Sequence, residues 1–334
     1  MTPPLSPGAP AIEVKDLVVT NGDVTAVRGV SFSIPAGGRM GLVGESGSGK
    51  SMTALALMGL LPMGWHTHGE VLHDGADLAK LSDKALSSRR GRTLSMVFQD
   101  PLSSLNPVRR VGDQISWVIR HHTGADRKTA EAQTLELLRS MNLPRPENLV
   151  RAYPHEISGG QRQRIMIAMA LACYPQLIIA DEPTTALDVT VQKQVLRLLN
   201  SAVAERNSAL LMITHDLPII AAMCDTVAVM YAGRIVEMGP VQEVFRHPRH
   251  HYTRGLLDSQ PTMDNIALDG SSRLVSIPGM VPPLHDLPSG CAFNLRCPAA
   301  TDKCRTDMPE LGGETSLKSA CWHPIARADE VAAQ

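Results

Sequence analysis

No stretch of this 334-residue chain is both long and apolar enough to cross a bilayer. Its longest apolar runs, 165–180 and 208–233, are broken by Tyr174-Pro175 in the first and by His215-Asp216, Pro218 and Asp225 in the second. Any passage through a membrane is therefore expected to lie in a separate protein. Net charge is also missing: 32 Lys and Arg stand against 33 Asp and Glu, a formal charge of −1 with no dense basic run. That balance argues against nucleic acid as a partner. Residues 1–10 are Pro-rich and uncharged, unlike a secretory signal or a mitochondrial leader, and read as a disordered tail on a cytosolic protein. Aromatic residues are absent from 11–31. The length suffices for one domain of about 250 residues and an appendage.

The run Gly44-Glu45-Ser46-Gly47-Ser48-Gly49-Lys50-Ser51 fits GxxxxGKS, a phosphate-binding loop. Its glycines allow turn conformations in which successive N–H groups converge on one anion. Lys50 supplies a point charge that reaches β and γ phosphates, and Ser51 a hydroxyl suited to Mg²⁺. Before the loop, 38–43 reads as a short buried strand; after it, 52–61, opening on Met52, is apolar and helix-compatible, with Pro62 beyond. Strand, loop and helix are the context a phosphate loop requires, and the helix dipole then points at the phosphates. A second constellation, Leu177-Ile178-Ile179-Ala180-Asp181-Glu182, is an apolar run ending in two acids. It is expected of a buried parallel strand that delivers carboxylates at its C-terminal edge, Asp181 toward the Mg²⁺ shell and Glu182 toward an attacking water.

Residues 11–35 alternate apolar and polar with β-branched enrichment, which predicts antiparallel strands ahead of the loop. Helical periodicity over 115–122, 129–141 and 161–173 predicts a helical insertion between strands at 94–98 and 177–180. Helix 189–206 and strands 209–214, 225–231 and 234–238 follow, so the fold class is an α/β sheet with a helical subdomain. Past about 257 the chain is Pro- and Gly-rich and holds four of its six cysteines between 291 and 321.

In this order the motifs resemble the nucleotide-binding subunit of ATP-binding cassette (ABC) transporters, over about residues 11–325. Gly44 to Ser51 resembles the Walker A loop, Gln99 the Q-loop glutamine, and Ser158-Gly159-Gly160-Gln161 the family signature. Leu177 to Glu182 resembles Walker B, Thr185-Ala186-Leu187-Asp188 the D-loop, and His215 the switch histidine. The resemblance implies a head-to-tail pair of cassettes in which Lys50, Ser51 and Glu182 of one face Ser158 and Gly160 of the other across ATP. It implies Glu182, His215 and Gln99 as catalytic residues, with Ser51 and Gln99 on Mg²⁺. Nucleotide binding would fall to Gly44, Glu45, Ser46, Gly47, Ser48, Gly49, Lys50, Ser51, Met52, Asp181, Ser158, Gly159, Gly160, Gln161 and Asp188. The family usually stacks an upstream aromatic on adenine; with none in 11–31 and Phe32 in a strand, Val19 or Thr20 is left to offer an edge contact.

Cys291, Cys297, Cys304 and Cys321 lie where disulfides are not expected, and their intervals lack the CxxC knuckles of common zinc sites. Spacing leaves two readings open, a metal site or reduced thiols packing a small appendage. The stretch 290–298, with Pro309-Glu310-Leu311 and Cys321-Trp322 following, resembles the C-terminal extension of the oligopeptide/dipeptide importer ATPases. That resemblance implies a [4Fe–4S] cluster on the four cysteines. His247, His250 and His251, just upstream, read as solvated loop imidazoles rather than ligands.

The expected organisation is a tail at 1–10, an ABC nucleotide-binding domain at 11–257 with its helical subdomain at about 101–174, and an extension at 258–334. The expected function is ATP hydrolysis that drives uptake of di- or oligopeptides. Partners would be two transmembrane permease subunits, an extracytoplasmic peptide-binding protein and a second, paralogous ATPase. The chain would sit peripherally on the cytoplasmic face of the cell membrane. Alternatives are an importer ATPase for nickel or another solute, a soluble ABC ATPase acting on nucleic acid or the ribosome, and a redox or iron sensor built on an inactive ATPase. Intact Lys50, Asp181, Glu182 and His215 argue against the last.

Overall fold

The computed structural model describes residues 5–6, 8–100, 104–184, 187–260, 276–313 and 316–326. Parts of the expected tail (1–4 and 7), of the D-loop (Thr185-Ala186) and of the extension (261–275, 314–315 and 327–334) lie outside the described residues.

Strands β1 (Ile12–Asn21) and β2 (Val24–Ile34) form the expected antiparallel hairpin, turned at Gly22 with φ 55°. β3 (Arg39–Val43) precedes the helix Lys50–Met58. β4 (His66–His73) and β5 (Ala76–Asp77) then extend the first sheet, whose order is β2-β1-β4-β5. β6 (Leu94–Val97) is followed by helices Val111–Thr123, Arg127–Ser140, Pro146–Leu149 and Gly159–Leu171. β7 (Leu177–Asp181), the helix Val189–Arg206, β8 (Ala209–Ile213), β9 (Thr226–Tyr231) and β10 (Arg234–Pro240) come next. A short β11 (Lys318–Ser319) closes a second sheet of order β11-β10-β9-β3-β8-β7-β6.

The five strands from β9 to β6 run parallel and are buried on both faces, which explains their near-continuous apolar sequences. Along β7, Leu177 and Ile179 face a core shared with β1, β2 and the helix Lys50–Met58, while Ile178 and Ala180 face the helical segment. The register matters for the site. Leu42 pairs with Ile213, Asp181 with Ile213, and Val97 with Ala180. The chain therefore leaves β3, β6, β7 and β8 along one edge, where Gly44, Gln99, Glu182 and His215 follow within two residues of each strand end.

β4 has no counterpart in the sequence reading. Its residues His66, His68, Gly69 and Glu70 give no apolar period, and pairing with β1 and β5 makes it a strand.

Candidate active site

Three glycines of the loop 44–49 have positive φ: Gly44 at 153°, Gly47 at 80° and Gly49 at 101°. A Cβ on Gly44 would sit 2.2 Å from the Met230 carbonyl oxygen, and one on Gly49 would sit 2.5 Å from that of Ala26, whereas Gly47 faces open space. The underside of the loop is thus pressed onto β9 and β2. The Gly233 N–H, in the turn between β9 and β10, fixes it further by donating to the Ser48 carbonyl at 3.0 Å. Lys50 is buried, and its ammonium donates to the Gly44 and Glu45 carbonyls at 2.7 and 2.9 Å and to Ser48 Oγ at 3.3 Å. Burial lowers its pKa, against the opposing charges of Glu182, Asp181 and Glu45. The helix that begins at Lys50 has no side-chain cap, so its first-turn amides are left for an anion.

Asp181 is buried at the end of β7, and burial raises its pKa, opposed chiefly by a hydrogen bond with Ser51. Its Oδ1 has no hydrogen-bond partner among the described residues. An orphaned carboxylate oxygen beside a hydroxyl and the loop is the donor set a hard cation such as Mg²⁺ takes, so these residues fit the metal.

Glu182 adopts φ 45°, its N–H bonded to the Ile213 carbonyl at 2.8 Å. Gln99 Nε2 donates to Glu182 Oε2 at 3.1 Å, and His215 Nδ1 donates to Oε1 at 3.1 Å. The structure therefore brings together the three side chains expected to be catalytic, although they lie 83 and 33 residues apart. The Gln99 amide engages the carboxylate itself.

Ser158 caps the helix Gly159–Leu171 in a reciprocal box with Gln161: the Gln161 N–H donates to Ser158 Oγ at 3.3 Å, and the Ser158 N–H donates to Gln161 Oε1 at 2.9 Å. Gly159 faces open space, while a Cβ on Gly160 would meet Val191 at 2.8 Å. Asp188 caps the helix Val189–Arg206 by accepting from the Thr190 and Val191 N–H groups, and the buried Gln163 donates to the Pro183 carbonyl just after Glu182. The signature helix is thereby tied to the segment after β7.

Tyr252 and Arg296, without an assigned role in the sequence, reach the loop with their side chains. The Glu45 N–H donates to the Tyr252 hydroxyl at 2.8 Å, and Arg296 makes a two-point ion pair with the Glu45 carboxylate. Arg296 stands inside the stretch that resembled the extension, one residue before Cys297, which was the available signal.

Three expectations are corrected. Val19 is fully buried in the core and cannot offer an edge to adenine. His250 is not a solvated imidazole: it is buried, its Nδ1 accepts from the Tyr252 N–H at 3.0 Å, and burial depresses its pKa to about 3. The [4Fe–4S] cluster on Cys291, Cys297, Cys304 and Cys321 is not supported, since among the described residues no group of three or more His, Cys, Asp or Glu is arranged to hold a metal ion. The four cysteines line a cavity of about 10 Å³, room for about one water. Burial pushes the Cys321 thiol up to about 11 and raises Cys291 and Cys297 as well.

Among the described residues no helix is long and apolar enough to cross a membrane. Residues 27–185 match the family described as ABC transporter, and 236–304 match the C-terminal region of oligopeptide/dipeptide transporters. The chain is 48% identical over 300 residues to the oligopeptide transport ATP-binding protein OppD of Haemophilus influenzae, covering 89% of this chain and 92% of that one. It is 44% identical over 320 residues to the dipeptide transport ATP-binding protein DppD of Escherichia coli, covering 94% and 97%. A dimeric structure of the ATP-binding cassette MJ0796 in a post-hydrolysis state, bound to ADP and Pi, superposes with a TM-score of 0.62 at 26% identity, covering 69% of this chain and 98% of that chain. With ATP as the expected substrate and Mg²⁺ as the expected metal, the chain belongs to the oligopeptide/dipeptide family of ABC transporter ATP-binding subunits and is an ATPase.

Proposed function

We propose that this ATPase energises import of di- or oligopeptides, and that Glu182, held between Gln99 and His215, is the base that takes a proton from the attacking water. The grip on Glu182 carries this reading: both carboxylate oxygens accept a hydrogen bond at 3.1 Å, which fixes the carboxylate at the strand edge beside Lys50. Lys50, the glycine loop and the uncapped first turn meet the phosphate charge. Ser51, Asp181 and Gln99 would hold Mg²⁺, which when bound would neutralise charge on phosphate oxygens. His215, with its Nδ1 on Glu182 and its side chain 67% exposed, would meet the γ-phosphate through its other nitrogen.

In this reading Ser158 and Gly160 complete the site of a second cassette, a paralogue in a heterodimer. Support comes from the exposed position of Ser158 at a helix N-terminus, from open space at Gly159, and from Val189, a large apolar side chain 65% exposed just after Asp188. Two permease subunits and an extracytoplasmic peptide-binding protein complete the importer, with this chain peripheral on the cytoplasmic face. Val108 and Trp117, exposed at 79% and 54% in the segment after Gln99, support coupling to a permease there. We read 11–257 as the nucleotide-binding unit, its helical part at 101–174, and 258–334 as the extension.

The test is Glu182→Gln in the assembled importer. Turnover is expected to fall by about a thousand-fold, with ATP-driven pairing of cassettes retained and uptake of a labelled dipeptide lost. Hydrolysis at the wild-type rate refutes the base, and undiminished peptide uptake in cells lacking this chain refutes the substrate class.

A further inference from the structure

The guanidinium of Arg296 lies far from the phosphates in sequence but not in space. Its side chain is 4% exposed. Nη1 donates to Glu45 Oε2 at 2.7 Å and Nη2 to Glu45 Oε1 at 3.0 Å, a two-point pair across 251 residues of chain. Nε donates to the Pro278 carbonyl at 2.8 Å, and longer contacts reach the Tyr231 hydroxyl at 3.4 Å and the Ile277 carbonyl at 3.5 Å. These five contacts match the five N–H donors of an arginine, so its orientation is fully determined. Tyr231, Tyr252 and Phe293 pack ring on ring around it, with centroids 4.6 to 5.4 Å apart. The hydrogen bond to Glu45 raises the pKa of Arg296.

At the other end, Glu45 is the second residue of the phosphate loop and is gripped from three sides. Its carboxylate meets Arg296, its N–H donates to the Tyr252 hydroxyl at 2.8 Å, and its carbonyl accepts from Lys50 Nζ at 2.9 Å and from the Ser48 N–H at 3.2 Å. A displacement of Arg296 is therefore passed through one residue to the ammonium that meets phosphate.

We propose that Arg296 is a positioning residue of the ATP site: through Glu45 it holds the phosphate loop in its anion-cradling form before nucleotide arrives, which makes the cysteine-bearing extension part of the nucleotide site. The inference rests on the ATPase reading of the loop. Its physical basis is pre-organisation, since a loop already fixed by a half-buried ion pair loses less freedom when phosphate binds. A lysine cannot replace the fork, because a point charge satisfies one carboxylate oxygen at a time.

The experiment uses the full chain and four variants, Arg296→Met, Arg296→Lys, Glu45→Gln and the Glu45→Gln/Arg296→Met double, with Arg305→Met as a control. Arg305 belongs to the extension and, among the described residues, makes an exposed ion pair with Asp302. Two quantities are measured: hydrogen exchange of the amides of 44–50 in nucleotide-free protein, and the KM for ATP against kcat. Arg296→Met is expected to raise KM about ten-fold, with a smaller change in kcat, and to speed loop exchange by a similar factor. Arg296→Lys should fall between it and wild type, the Glu45→Gln/Arg296→Met double variant should be no worse than the poorer single, and Arg305→Met should match wild type. If Arg296→Met does not fold, Glu45→Gln removes the same charge pair from the loop side. Wild-type loop exchange and KM in whichever of the two folds, even with a lowered Tm, reduces Arg296 to a brace of the extension and overturns the proposal. Exchange is read without nucleotide, so a wild-type chain that hydrolyses no ATP refutes the enzymatic reading while the latch is still judged on its own measurement.

Discussion

At the loop edge, the Lys50 ammonium is held by atoms two, five and six residues away in the chain. In the cysteine turn, the Arg296 guanidinium is held by atoms 18, 19, 65 and 251 residues away. The two cations are linked through one residue, Glu45, yet they are built differently. The loop is a backbone object, whose glycine conformations and strand-to-helix setting make Lys50 arrive where it must. The turn is a side-chain object, with rings from β9, from the helix His251–Asp258 and from the turn itself closing around a charge. Local construction shows in the sequence which groups meet, whereas distant construction leaves the partner of Arg296 unmarked.

The comparison can be broken first at the loop. Lys50→Met is expected to lower ATP turnover by at least about a hundred-fold, measured as phosphate release, because it removes the ammonium held at the Gly44 and Glu45 carbonyls. Gly44→Ala and Gly47→Ala separate crowding from backbone strain. A methyl group on Gly44 would press on the Met230 carbonyl at 2.2 Å, whereas on Gly47 it would meet nothing within 4 Å. Denaturant unfolding should show Gly44→Ala losing about 3 kcal/mol and Gly47→Ala only about 1 kcal/mol of left-handed strain. Equal losses would show that the loop floor gives way and that the glycine at 44 is not set by close approach.

The extension side has a weaker handle in His250. With a folded-state pKa of about 3, its neutral form is favoured by folding. A histidine in the unfolded chain titrates near 6.5. The associated stability is therefore complete above that pH and is lost as the pH falls through it toward about 3. Relative to His250→Asn, which keeps a capping acceptor, the wild type should lose about 1.4 kcal/mol per pH unit below the unfolded value. Parallel curves for the two proteins between pH 7.5 and 5 would refute the burial argument.

Much of the site was legible. The strands 38–43 and 177–180 read correctly because parallel strands covered on both faces must be apolar, and the strand-to-loop transitions carried Lys50, Asp181 and Glu182 with them. The helix expected at 52–61 runs instead from Lys50 to Met58, because the loop closes directly into it and Gly59, at φ 60°, ends it. The helices expected at 115–122 and 161–173 start earlier, at Val111 and Gly159, the second where Ser158 and Gln161 cap each other. Two readings failed for one reason. Val19 and His250 were judged from neighbours in the chain, while their burial is set by elements distant in the chain: Val19 pairs across β1 with β2 and β4, and His250 packs against Phe293. The cluster on the four cysteines rested on the resemblance alone, since their spacing left packed thiols open.

What this chain determined by itself is a nucleotide-binding edge: a glycine loop, a lysine, paired acids and a capped signature helix, each specified by residues within a few positions of one another. Tertiary structure alone decided that Gln99, Glu182 and His215 would share one carboxylate, because strand register, not spacing, aligns β6, β7 and β8. It also decided that Arg296 would close on Glu45, since a buried charge takes its counter-ion from wherever the fold brings one, and sequence distance does not enter that energy.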